Sequence, residues 1–175
     1  MQNISPSIQN PQKIRAANAT LLDYYANWAS CMLTLTFRDH NNFVPASAEQ
    51  IDRLIKHFAV SLNWATWKTR TKYNAKAKIL YVPVVEGLNS NKRVHIHILL
   101  GNVLSEQDLR AFIATYIRES SLLGHVYDLR DIHAADGISW YLTKETYNIN
   151  ADAVRWEAAW VPAFLIPKAS TLLKA

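Results

Sequence analysis

The 175-residue chain has a single cysteine, Cys31, and that scarcity excludes two architectures. An internal disulfide needs two thiols, and a cysteine-based zinc site needs several. Cys31 opens an apolar run and is expected as a small buried hydrophobe. The chain has only four glycines, and nowhere do they form a Gly-rich loop of the kind that cradles nucleotide phosphates. No apolar run approaches the length of a membrane span, and residues 1–6 lack a signal-peptide core. A cytoplasmic protein with no membrane partner is therefore expected. Internal repeats and low-complexity tracts are absent too. Acidic residues are the minority among the charges, 14 against 19 Lys and Arg, for a net charge of +5 and a pI near 9.4. That balance favours a polyanionic partner.

Half of the residues are hydrophobic, an ordinary globular proportion. At this length one core suffices, so a single domain over 1–175 is expected. Residues 1–12 are polar, carry two prolines and read as a loose arm. Residues 151–175 form a Trp-rich, Pro-punctuated extension with no assignable pattern.

The most informative stretch is Arg93-Val94-His95-Ile96-His97-Ile98-Leu99-Leu100. Two histidines two residues apart in a β-branched run predict a strand with both imidazoles on one face and Val94, Ile96 and Ile98 on the other. The preceding run, Ile79 to Glu86, reads as a second strand, and Gly87-Leu88-Asn89-Ser90-Asn91 as turn chemistry. An antiparallel hairpin would bring Glu86 beside His95 and His97. Two imidazoles and a carboxylate form a plausible ligand set for a divalent metal ion. His40, His57, His125 and His133 have no such company and are expected as surface or internally satisfied side chains.

Helical periodicity runs from Ile14 to about Trp28, and a strand covers residues 31–37, with Thr34 and Thr36 on one face. Ser47-Ala48-Glu49-Gln50 predicts a capping box. Behind it, Ile51, Leu54, Ile55, Phe58 and Leu62 mark an amphipathic helix to about Thr69. Ser105 caps another helix, with Leu109, Phe112, Ile113, Tyr116 and Ile117 on its inner face. Residues 125–130 alternate as a short strand, and residues 138–147 read as a last helix. From the first strand onward the order is β-α-β-β-α-β, the split βαβ of ferredoxin-like and RRM-like folds. This α+β class implies an antiparallel sheet of four to five strands, with both crossover helices on one face and the other face open for a site.

On the last helix, Tyr141 and Lys144 are spaced i, i+3 and share a face. Three stretches then occur in sequence: Met32-Leu33-Thr34-Leu35-Thr36-Phe37, His95-Ile96-His97 and Tyr141-Leu142-Thr143-Lys144. With these, the chain resembles the HUH endonucleases, specifically the single-tyrosine initiators of rolling-circle replication in plasmids and phages. The resemblance spans roughly residues 31–147. It implies a site-specific endonuclease and strand transferase acting on single-stranded DNA at an origin or hairpin. Tyr141 is then the nucleophile, forming a 5′-phosphotyrosine and freeing a 3′-OH. Lys144 offsets charge or favours the phenolate, and Glu86, His95 and His97 hold Mn²⁺ or Mg²⁺. A helicase has to be supplied by another protein. Tyr147, about 120° round the helix from Tyr141, is expected as structural or DNA-contacting. Relaxases place the tyrosine before the histidines, the reverse of the order here. A small single-tyrosine transposase shares the motif order, and a non-catalytic nucleic-acid-binding module shares the fold.

Basic residues interleave with aromatics between Trp64 and Lys78. Lys68, Arg70, Lys72 and Lys76, together with Thr34 and Thr36 of the first strand, are the candidate DNA contacts.

Overall fold

The computed structural model describes residues 11–38, 46–72, 74, 77–88, 93–133, 137–144 and 152–167. Four strands, β1 (Cys31–Phe37), β2 (Leu80–Glu86), β3 (His95–Gly101) and β4 (Leu123–Asp131), form one antiparallel sheet in the order β2-β3-β1-β4. Helices α2 (Ala48–Trp67) and α3 (Glu106–Glu119) are the crossovers from β1 to β2 and from β3 to β4. This is the split βαβ arrangement that the pattern predicts. Two more helices, α1 (Pro11–Ala26) and α4 (Ile138–Leu142), flank that unit in sequence. The first two residues of α1 thus belong to the stretch expected as a loose arm, whose remainder lies outside the described residues.

The alternation in β1 sorts the two faces. Cys31, Leu33, Leu35 and Phe37 are buried against α2 and α3, with Phe58, Ile55, Leu62 and Ile113 in the same core. Helix α2 starts where the sequence places it. The Ser47 hydroxyl accepts from the Gln50 backbone N–H at 3.2 Å, and the Ser47 N–H donates to Gln50 Oε1 at 2.8 Å. Such a cap is worth about 1 kcal/mol. Deeper in the core, the fully buried Tyr81 hydroxyl donates to the Ile55 carbonyl at 3.0 Å.

The opposite face is less open than the split βαβ pattern suggests. Leu22, Tyr25 and Ala26 of α1, Leu142 of α4, and Ala153, Val154 and Leu165 pack over Leu80, Val82, Val84 and Leu99. β2 is therefore buried on both faces, which accounts for its continuous apolar run where a half-exposed strand would alternate. Residues 152–167, unassignable from their pattern, run along the outer edge of β2. Tyr81 and Trp160 exchange N–H···O bonds of 2.8 Å, and Arg155 N–H donates to the Pro83 carbonyl at 3.0 Å. Pro83 lacks a backbone N–H and is tolerated on this strand, which β3 pairs on one side only. Covering therefore stops short of one end of β1 and β3, where Thr34, Thr36, His95 and His97 share the same face as the second core. Among the described residues no helix is long and apolar enough to cross a membrane.

Candidate functional site

The hairpin places Glu86 and His95 directly opposite one another, and His97 opposite Val84 on one side and Thr34 on the other. Cross-strand partners share a sheet face, so the three candidate ligands converge without any loop rearrangement. Glu86 Oε2 lies 3.2 Å from His95 Nε2 and 3.3 Å from His97 Nε2. Their ligand atoms all lie within 4.8 Å of one another, and no other group of three or more such residues is found among the described residues.

Hydrogen bonds fix how the two rings are presented. His95 Nδ1 lies 3.0 Å from the Arg93 carbonyl, which can only accept, so the proton is on Nδ1. In a neutral ring, Nε2 then offers its lone pair towards Glu86 Oε2. His97 Nδ1 lies 3.0 Å from Thr34 Oγ1, a partner that can accept its proton and leave Nε2 bare. Lone pairs from two nitrogens and a carboxylate oxygen then face one point, an arrangement satisfied by a proton or a cation between them. Two imidazoles held from behind and one carboxylate fit a divalent metal ion. Three protein ligands also leave coordination positions for substrate or water.

Electrostatics agree with this reading. Burial pushes the His97 pKa down to about 4, reinforced by the neighbouring His95 and only partly offset by Glu86. His97 is thus a neutral donor at neutral pH. For Glu86, burial alone would raise the pKa, but the hydrogen bond from Lys144, the neighbouring His95 and the Lys144 charge outweigh it and hold the carboxyl below its usual value. Glu86 is therefore ionised.

Tyr141 and Lys144 complete the cluster. The ring of Tyr141 meets that of His97 edge-on, with centroids 5.4 Å apart at 69°. Lys144 Nζ lies 2.8 Å from Glu86 Oε1 and 3.9 Å from the centre of the Tyr141 ring. Burial would lower the Lys144 pKa, but hydrogen bonds to Glu86 and Tyr141 raise it, keeping the ammonium charged. Helix α4 is shorter than its spacing suggests, ending at Leu142, and Lys144 lies in the turn after it. The two side chains nevertheless meet. A cavity of about 640 Å³ opens in front of them, lined among others by Thr34, Thr36, His95, Asp128, Arg130 and Tyr141.

Two of these lining residues were not singled out by their sequence pattern. Asp128 pairs with Thr34, and Arg130 with Met32, so both reach the site face from β4. Arg130 Nε donates to Asp128 Oδ2 at 2.6 Å. The alternation of residues 125–130 was the available signal, because it puts these two charges on one face. Thr34 holds His97, and Thr36 donates to the Val126 carbonyl at 3.0 Å.

The basic aromatic stretch is not brought to this site. Lys68 and Arg70 are exposed on a 3₁₀ turn, Lys68–Lys72, that follows α2. That turn precedes the start of β2, whereas Glu86 is at its end, a strand length of about 20 Å away. Helix α2 moreover packs on the other face of the sheet. Lys76 and Tyr147 lie outside the described residues, as does His40. His57 is satisfied by the Tyr116 hydroxyl at 2.8 Å, and His133 is exposed.

No protein-family model, curated protein or solved structure matches this chain.

Proposed function

We propose that the protein is a metal-dependent endonuclease and strand transferase for single-stranded DNA, with Tyr141 as its nucleophile. One observation carries this reading above the others. A half-exposed tyrosine stands against a buried ligand histidine, its ring beside a lysine ammonium, in a cavity lined by both imidazoles, and the Glu86 carboxylate lies against both of those rings. A purely structural tyrosine has no need of that company.

The chemistry follows from these residues. Tyr141 Oη attacks a backbone phosphorus; the Oη–P bond forms as the P–O3′ bond breaks. The phenolic proton is released to solvent, and O3′ takes a proton to become a 3′-OH. The product keeps the phosphodiester energy in a 5′-phosphotyrosine, so a second 3′-OH can reverse the step and join strands. The Lys144 ammonium beside the ring would offset the negative charge that builds on the attacked phosphate. Glu86, His95 and His97 would hold a divalent ion, Mn²⁺ or Mg²⁺, which would supply Lewis-acid polarisation of the phosphate. Thr34 and the Arg93 carbonyl keep the two imidazoles in the tautomer that donates through Nε2. Such an enzyme would nick an origin or hairpin to start rolling-circle replication, with unwinding supplied by a separate helicase.

The test is a cleavage assay on a pool of randomised single-stranded oligonucleotides with Mn²⁺. A covalent DNA–protein adduct on denaturing gels that requires metal and disappears in Tyr141→Phe is the expected result. If oligonucleotides bind but no metal yields an adduct, the protein is a binding module, and the proposal is wrong.

A further inference from the structure

A second cavity, of about 280 Å³, opens beside the first and is lined by Thr36, Arg38, Arg93, Gly124, His125 and Val126 together with Phe37. Among the described residues, three basic side chains line it and no acidic one does. Thr36 lines both cavities, so the two are neighbours on the site end of the sheet. We propose that Arg38, Arg93 and His125 form a phosphate-binding subsite. It would hold the sugar–phosphate backbone of the strand next to the phosphate attacked by Tyr141. This assignment rests on the proposed nuclease reading for its ligand.

The backbone builds the cavity. β4 pairs Tyr127 with Leu35 but Leu123 with Phe37, so β4 spends four residues where β1 spends two. The extra length makes a bulge at Gly124, His125 and Val126 that turns His125 and Val126 outward, and both are exposed. Bulges next to sites commonly re-aim side chains in this way. Gly124 suits the bulge: a Cβ there would stand 3.2 Å from Thr36 Oγ1 and 3.3 Å from the Phe37 carbonyl oxygen.

Arg38 is positioned in advance. Its Nε–H donates to the Leu123 carbonyl at 2.7 Å and its Nη2 to the Ser120 carbonyl at 2.8 Å. A guanidinium has five N–H groups, and among the described residues the other three have no acceptor. A planar, pre-oriented fork of this kind matches phosphate oxygens. Val126, 73% exposed at the rim, gives the sugar or base an apolar surface. Arg93 ties the two cavities chemically: its carbonyl orients His95, while its side chain lines the basic cavity. The electrostatic footprint is thus placed at the metal end of the sheet, and the Lys68–Lys72 turn is at the other end.

The experiment measures fluorescence anisotropy of a labelled single-stranded DNA oligonucleotide across a salt series, without metal, for Arg93→Gln, His125→Gln and the double variant. A matched RNA strand is run beside it, and Mn²⁺ titration and thermal unfolding check that the fold and metal centre persist. Each substitution spares the Arg93 carbonyl. In the double variant, affinity is expected to fall about tenfold and the log K against log salt slope to shrink by about 0.7 for each phosphate no longer neutralised. A loss on both strands supports phosphate recognition common to them, and a loss on DNA alone supports it with selection for the deoxyribose strand. Affinities within twofold of wild type overturn the subsite, as does a loss with an unchanged salt slope. Affinity lost instead in Lys68→Gln/Arg70→Gln, with the Arg93 and His125 variants intact, overturns it too. Adduct formation by Tyr141 is scored separately, so either claim can fail while the other stands.

Discussion

Lys144 Nζ stands 2.8 Å from Glu86 Oε1, on the oxygen that does not face the two histidines. The lysine expected to meet substrate therefore also neutralises the carboxylate that would ligate the metal. These two effects have opposite signs. A cation beside Glu86 opposes a second cation on the same carboxylate, whereas a cation beside Tyr141 would offset negative charge at a phosphate under attack.

Lys144→Met should accordingly bind Mn²⁺ more tightly while forming adduct more slowly. The side chain is 36% exposed, so solvent screening limits the first effect to roughly threefold. Loss of an electrostatic partner for the reacting group should cost about a hundredfold in adduct rate. Calorimetric Mn²⁺ titration and single-turnover gels measure the two. Weaker metal binding in the variant would show that Lys144 mainly shapes Glu86.

Thr34→Val keeps the shape of the side chain and removes the hydroxyl that holds His97 Nδ1 at 3.0 Å. Without that partner the buried ring can present either tautomer. Mn²⁺ affinity should fall by about 10- to 100-fold, the usual cost of losing a group that orients a ligand. Thr34→Ser, which restores the hydroxyl, should recover most of it. Equal affinity in all three proteins would remove Thr34 from the centre.

Much of this centre was legible in the sequence. The His-Ile-His alternation, the turn residues after Glu86 and the apolar run before it fix a hairpin whose register sets Glu86 opposite His95. The capping box and apolar stripe fix α2 equally well, since these are local signals. What covers the second face was not legible, because α1 and residues 152–167 meet β2 from far along the chain and the latter carry no periodicity. The continuous apolar run of β2 was the one hint, for a strand with an open face would alternate. The clustered lysines and arginines after Trp64 show a different limit, since their place on the fold relative to Glu86 was not legible either. Charge density in sequence says nothing about which end of a sheet it reaches, and α2 carries that segment away from Glu86.

Acid should destabilise the metal-free protein in a defined window. The unfolded chain protonates His97 below pH 6.5, whereas the buried ring resists protonation until about pH 4. Its contribution is therefore fully present above pH 6.5 and lost as pH falls towards 4, a change of about 3 kcal/mol at 1.4 kcal/mol per unit. Glu86, with its pKa lowered, contributes above its unfolded value of 4.5 and is lost only below it. The range from pH 6.5 to 4.5 thus isolates the histidine. Urea unfolding in EDTA should show that slope in wild type and a flatter one in His97→Gln. Parallel slopes would mean that His97 is not the group responsible.

Gly87 links the turn to the candidate metal centre. Its φ is +88°, and a Cβ built on it would lie 2.7 Å from the Arg93 carbonyl oxygen, closer than such contacts ever fall. That oxygen accepts from His95 Nδ1. In Gly87→Ala the backbone must shift at the one carbonyl that fixes the tautomer of His95, and the residue must also adopt a left-handed conformation that disfavours a side chain. Stability should fall by about 1–3 kcal/mol, and Mn²⁺ affinity should fall with it under conditions where the protein remains folded. Backbone strain alone would lower the melting temperature and leave Mn²⁺ affinity unchanged. Measuring both in the same sample therefore decides whether the turn merely closes the hairpin or also sets the donor geometry of His95.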